Sequence, residues 1–164
     1  MEGIVAQVSI SQGGLPKRPI EEGSITPLGI EGDRHAHPEI HGGQLQAILI
    51  VAAEALDALI EQGYPLFFGA LGENVTTRGI PIRDLRIGDQ LRVGGAILEI
   101  TKPRGPCSAL DVYGESLKTD IYDARVKQRD PSSPRWGMSG MYARVVRPGP
   151  VRAGDPVILL SASA

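Results

Sequence analysis

Cys107 is the single cysteine of a 164-residue chain, so it has no partner for an internal disulfide and its sulfur is left for other chemistry. It stands in Thr101-Lys102-Pro103-Arg104-Gly105-Pro106-Cys107-Ser108. This stretch follows a strand-like run, Ala96-Ile97-Leu98-Glu99-Ile100, so the thiol is expected where a strand passes into a surface loop on a rigid scaffold. Pro106 suits the first turn of a helix and Ser108-Ala109-Leu110-Asp111 can continue it, which would bring helix N–H groups near the sulfur. Lys102 and Arg104 add positive charge. Such neighbours favour the thiolate, the form that attacks electrophiles and binds soft metals. The competing reading is a small inert hydrophobe, because free cysteine is among the most buried residue types.

Two further stretches carry groups that could bind. His35, His37 and His41 fall close together with Asp33 and Glu39 among them. Histidine and carboxylate are common zinc ligands, but Pro38 and Gly42-Gly43 break any helix here, so a metal would need an irregular loop. A loop or cofactor contact is the competing reading. Gly69-Ala70-Leu71-Gly72-Glu73-Asn74-Val75-Thr76-Thr77 places a carboxylate, an amide and two hydroxyls beside glycines, which suits hydrogen bonding to a heterocycle. It is neither a dinucleotide fingerprint nor a P-loop. Lys17 and Arg18 lie in a loop between prolines, either as solvated surface or closing over an anionic ligand.

These residues need a scaffold, and the composition bounds it. The length suggests one domain spanning 1–164, and 41% hydrophobic with 22% charged residues is ordinary for a soluble protein. A net charge of −2 gives no general attraction to nucleic acid or anionic lipid, so any anion site must be local. Aromatics are too few, at 4%, to furnish stacking platforms for single strands. No apolar stretch approaches a membrane span and the start lacks a signal-peptide pattern, so a cytoplasmic location is expected.

Strands are predicted over Gly3–Ile10, Ser24–Ile30, Gln46–Val51 and Gly140–Val146. A helix is predicted over Ala52–Gln62, stopped by Gly63 and Pro65, and another over Leu117–Gln128. Arg129–Met138, with Arg135 and Trp136, reads as a loop able to act as a lid. Leu85-Arg86-Ile87-Gly88-Asp89 and Val151-Arg152-Ala153-Gly154-Asp155 echo each other, each entering a strand. Closely spaced strands with Gly-Asp turns predict a mainly β fold with short helices, a closed or nearly closed barrel.

In order and spacing, Gly32-Asp33-Arg34, His41-Gly42-Gly43, Gly72-Glu73-Asn74, Ile87-Gly88-Asp89, Pro103-Arg104-Gly105-Pro106-Cys107, Tyr142-Ala143-Arg144-Val145 and Gly154-Asp155 resemble the MOSC domain, named after the C-terminal region of molybdenum cofactor sulfurase. The resemblance covers nearly the whole chain. It implies a β-barrel with flanking helices and a protein that binds the molybdenum cofactor (molybdopterin). Cys107 matches the family cysteine, which carries persulfide sulfur or ligates molybdenum. Lys17 and Arg34 match basic positions that hold the molybdopterin phosphate, Asn74 matches an amide contacting the cofactor, and Arg104 accompanies the cysteine. His41, from the His-Gly-Gly motif, is expected with them. The chain departs from the family where Ile40 precedes His41 in place of a second histidine, and where Arg135-Trp136-Gly137-Met138-Ser139-Gly140 replaces Arg-Gly-Gly.

An enzyme of this kind would reduce a small N-hydroxylated or S/N-oxidised substrate with electrons from a separate electron-transfer protein. A sulfur carrier would take persulfide sulfur from a pyridoxal-phosphate-dependent cysteine desulfurase. The alternatives of a different class are a non-catalytic binding module on the same barrel with Cys107 inert, and a zinc site at the histidine loop.

Overall fold

The computed structural model of the protein describes residues 2–34 and 43–161. His35, His37 and His41, and with them the zinc reading and the expected role of His41, lie outside the described residues. The strands are β1 (Glu2–Ile10), β2 (Arg18–Ile20), β3 (Glu22–Thr26), β4 (Gly29–Ile30), β5 (Ile48–Ala52), β6 (Val75–Arg78), β7 (Gln90–Val93), β8 (Ala96–Pro103), β9 (Met141–Arg147), β10 (Gly149–Arg152) and β11 (Pro156–Ser161). Among the described residues the helices are α1 (Ala53–Glu61), α2 (Leu117–Ile121) and α3 (Ala124–Lys127), besides three 3-10 segments.

Seven strands follow one another in the order β11-β7-β8-β9-β5-β6-β1, and β1 pairs back onto β11, so the sheet closes on itself as a barrel. The fold is therefore mainly β, with few short helices. Strand β2 extends β1 outside the ring, and β10, β3 and β4 form a small second sheet. In the barrel only β5 and β6 run parallel, and α1 lies in the crossover between them, as parallel neighbours require. No helix among the described residues is long and apolar enough to cross a membrane.

The unbroken apolar run of β5 reflects burial on both faces. Ile48, Ile50 and Ala52 point into the barrel core with Val5, Val75, Leu98 and Ile100. Val51 instead joins a second cluster outside the barrel, with Leu56 and Leu59 of α1, Leu71, Leu110, Leu117 and Ile121. This outer cluster ties α1 to the segments on either side of Cys107.

The two Gly-Asp echoes turn out to be the same turn used twice. Gly88 has φ 95° and Gly154 φ 92°, the left-handed third position at which a type II turn demands glycine. In each, the following aspartate accepts from the arginine N–H three residues earlier: Arg86 N donates to Asp89 Oδ2 at 2.8 Å and Arg152 N to Asp155 Oδ2 at 2.9 Å. The turns feed β7 and β11, which pair with each other.

Three predicted elements differ. Ser24–Ile30 is a hairpin, β3 and β4, turned at Pro27-Leu28 with Thr26 Oγ1 donating to Gly29 O. Leu117–Gln128 is two short helices, broken where Asp123 leaves helical geometry and accepts from Val126 N at 2.9 Å, an N-cap. Arg129–Met138 is a folded segment and not a lid. Trp136 is 1% exposed and packs in the barrel core, with Nε1 donating to Leu85 O at 2.8 Å.

Candidate functional site

Strand β8 leaves the barrel at Pro103, still in register with Met141 of β9. Arg104 N still donates to Gly140 O at 2.9 Å; Pro106, which has no N–H to offer a ladder, comes next but one, and Cys107 follows with extended geometry ahead of a 3-10 segment, Ser108–Tyr113. The sulfur is half-buried and free. It makes no capping hydrogen bond to the segment it precedes, so the expected contact with helix N–H groups is not formed.

The loop Gly69–Asn74 fixes the surroundings of the thiol, because three separate segments bond to it. Lys17 N donates to Gly69 O at 2.9 Å, Tyr113 Oη donates to Ala70 O at 2.7 Å, and Arg104 Nη2 donates to Leu71 O at 2.8 Å. A Cβ on Gly69, whose φ is 95°, would lie 2.1 Å from Lys17 O, so only glycine permits this approach. Within the loop, Glu73 is fully buried and accepts from Gly69 N (2.9 Å), Leu71 N (3.1 Å) and Thr76 Oγ1 (3.1 Å). Burial pushes its carboxyl up, and the hydrogen bonds it accepts oppose that shift.

A cavity of about 160 Å3 opens between these segments. Cys107, Lys17, Arg34, Asn74 and Arg104 all line it, with Leu15, Leu49, Leu71, Ala109 and Tyr142 supplying apolar wall. Residues far apart in sequence, Lys17, Arg34 and Arg104, thus share one site beside the thiol. Lys102 does not line this cavity. Its ammonium sits 5.8 Å from the centre of the Tyr142 ring, a cation–π contact.

The polar residues differ in what they can offer a ligand. Asp33 is the organising group: its side chain is 2% exposed, Oδ1 accepts from Ser11 N at 2.9 Å, and Oδ2 accepts from Lys17 Nζ and, at 2.8 Å, from Asn74 Nδ2. Its role is therefore to anchor Lys17 and Asn74. Asn74 directs its other N–H to Ser9 O, and its Oδ1 accepts from Leu49 N at 3.1 Å. What remains for a ligand is one lone pair on that oxygen. Arg104 is 4% exposed and donates to Ser139 O as well as Leu71 O. Burial lowers its pKa, while the nearby Tyr142, Cys107 and Glu73 oppose the shift. Arg34 is exposed at the rim, its backbone N–H fixed on Ser11 O at 2.9 Å. Arg34 and the two remaining N–H groups of Lys17 are the donors best placed for an incoming anion.

The arrangement fits a phosphate-bearing cofactor with a soft metal: cations at one end, an apolar slot, and one thiol. Sequence reasoning noted Glu73 as polar and Asp33 as a possible metal ligand, and missed that each holds a loop in place. The Asp-Arg and Glu-Asn dipeptides were visible, but their partners lie in other loops.

Fold and site together define a small β-barrel that presents a single cysteine in a cation-flanked cavity at the end of a barrel strand. The family model of the MOSC domain matches residues 37–158, and the chain belongs to that family. It is 30% identical over 141 residues to protein YiiM of Escherichia coli, covering 84% of this chain and 58% of YiiM. It is 31% identical over 150 residues to YflK of Bacillus subtilis, covering 90% of this chain and 63% of YflK. The chain thus spans about three fifths of these relatives. Against a protein of Gibberella moniliformis named reductase, identity is 29% over 140 residues, covering 80% of this chain but 22% of that one. The crystal structure of YiiM from Geobacillus stearothermophilus superposes with a TM-score of 0.72 at 23% identity, covering 97% of this chain and 75% of that one. YiiM from Escherichia coli gives 0.67 at 26% identity, covering all of this chain and 72% of that one.

Proposed function

We propose that the cavity beside Cys107 is a molybdenum-cofactor site, with Cys107 as the protein's ligand to the metal. The observation that carries this is the convergence of one half-exposed thiol with Lys17 and Arg34 on a cavity whose remaining wall is largely apolar. Arg34 and Lys17 bind the phosphate of the molybdopterin. Asp33 and Asn74 position Lys17, and Arg104 braces the turn that carries the thiol. When bound, the cofactor would supply two-electron redox chemistry through its metal. The reaction class is reduction of a small N-hydroxylated or S/N-oxidised compound: an N–OH substrate takes two electrons and two protons, its N–O bond breaks, and water leaves. A relative named reductase supports a reduction, and the electrons come from a separate electron-transfer protein. The sulfur-carrier reading uses the same thiol without a resident metal.

Elemental analysis and intact mass of protein from a cofactor-competent host test the assignment. Molybdenum and pterin should co-purify, and Cys107→Ser should lose the metal, because a hydroxyl is a poor soft-metal ligand, while circular dichroism stays unchanged. Protein without molybdenum but one sulfur atom heavier after exposure to a cysteine desulfurase establishes the carrier reading. Stoichiometric zinc surviving Cys107→Ser moves the site to the histidine loop. Neither metal nor sulfur adduct under loading conditions leaves the inert binding module.

A further inference from the structure

A second cavity, of about 300 Å3, lies beside the first, and Gln46 and Tyr142 line both. Its wall carries Lys102 from β8, Lys127 at the end of α3, and Arg129, together with the Tyr122 ring and, among the described residues, no carboxylate. The nearby acids are engaged elsewhere. Asp123 caps α3, accepts from Ser133 Oγ at 2.7 Å and pairs with Arg135, and Asp130 accepts from Ser132 N at 2.9 Å. Among the described residues, neither Lys127 nor Arg129 forms an ion pair with a carboxylate, and neither the Tyr122 nor the Tyr142 hydroxyl donates to the protein. Arg129 has φ 63°, the one non-glycine left-handed residue among those described. It follows α3 at a position where glycine costs least, so an arginine here is unfavourable for the backbone and calls for a role of its side chain.

We infer that this second cavity is an oxyanion subsite. It holds the phosphate or carboxylate of a substrate whose reacting end lies in the neighbouring cavity, across the shared Tyr142 wall. Lys127 and Arg129 supply the charge and Tyr122 a hydroxyl donor, an arrangement matched to a multiply charged oxyanion. The substrate class is then an N-hydroxylated or S/N-oxidised compound that also carries a phosphate or carboxylate, a reading that rests on the reaction proposed above. Placing the anion site apart from Lys17 and Arg34 leaves those two for the cofactor assigned above. The subsite itself does not depend on that assignment.

The test is titration with pyrophosphate, followed by isothermal calorimetry, on the full chain prepared without cofactor. The wild type should bind at two sites, the first cavity with Lys17 and Arg34 being open as well, and Lys127→Ala/Arg129→Gly should weaken one of the two at least tenfold and leave the other unchanged. Because Arg129→Gly relieves a left-handed arginine, the melting temperature should hold or rise, which separates lost binding from lost folding. Arg92→Ala/Arg147→Ala, at exposed positions of β7 and β9, removes the same two charges elsewhere and should bind like the wild type. Equal weakening by Arg92→Ala/Arg147→Ala would reduce the effect to overall charge and overturn the proposal, as would no weakening in Lys127→Ala/Arg129→Gly. Molybdenum content of Lys127→Ala/Arg129→Gly, made in a cofactor-competent host, should match the wild type. Loss of pyrophosphate and metal together would assign the cavity to the cofactor's own phosphate and overturn the substrate assignment.

Discussion

Replacing Asp33 by alanine should damage the protein far more than its place in a loop suggests. The substitution removes the acceptor for Ser11 N, for Asn74 Nδ2 and for the Lys17 ammonium at once. The side chains of Lys17 and Asp33 are only 6% and 2% exposed, so Lys17 would lose its counter-ion in a site that water barely reaches. Removing one partner of a buried pair costs about 3–5 kcal/mol, mainly through the charge left behind. In a domain of this size that is a fall in Tm of about 6–20 °C, at about 2–4 °C per kcal/mol. The cost should shrink when the stranded charge is also removed, so Lys17→Met/Asp33→Ala should be more stable than Asp33→Ala alone. Urea unfolding of the wild type, both single variants and the double variant gives the coupling directly. A cost below about 1 kcal/mol for Asp33→Ala, the worth of an exposed pair, or a double variant no more stable than Asp33→Ala, would refute this reasoning.

Two further outcomes rest on the loop Gly69–Asn74. Burial holds the Glu73 carboxyl above its ordinary 4.5, so its contribution to stability is full below the unfolded value and is lost as pH rises through the folded one. The unfolding free energy of the wild type minus that of Glu73→Gln should therefore decrease between pH 4 and 7, and a difference that grew with pH would contradict it. Gly69→Ala should cost about 3 kcal/mol, from a left-handed alanine and its overlap with Lys17 O, and a urea midpoint close to the wild-type value would show that the two loops can part.

The barrel was legible because its signals are local. Short β-branched runs, a continuous apolar stretch at β5 and a pair of Gly-Asp turns each report on a few neighbouring residues, and each lies where sequence reasoning placed it. The seat of Cys107 after β8 was legible for the same reason, since a proline has no N–H to offer a ladder. What stayed hidden depends on contacts between loops. Nothing near Asp33 announces Lys17 or Asn74 as its partners, and nothing near Glu73 shows that both its oxygens bond its own loop. Trp136 was misjudged because Pro, Ser and Gly around it look like an exposed lid, while its ring lies in the barrel core. Lys102 is close to Cys107 in sequence, but strand alternation turns it onto Tyr142 and the second cavity.

Barrel closure has a kinetic consequence. Strand β1 meets β11 through Glu2–Ile4 and meets β2 through Val8–Ile10 on the same edge, while its other edge pairs with β6, with a bulge between Val5 and Gln7. On a ribosome adding about 5–20 residues per second, β2 and β6 can join β1 early, but the edge at Glu2–Ile4 stays open until Pro156–Ile158 emerges. Contacts of such long sequence separation form slowly, and an unpaired edge is a template for another chain. Nascent chains should therefore be most prone to misassembly in the interval after β9 has formed and before β11 arrives, and truncation ahead of Pro156 should give aggregates, not a smaller barrel.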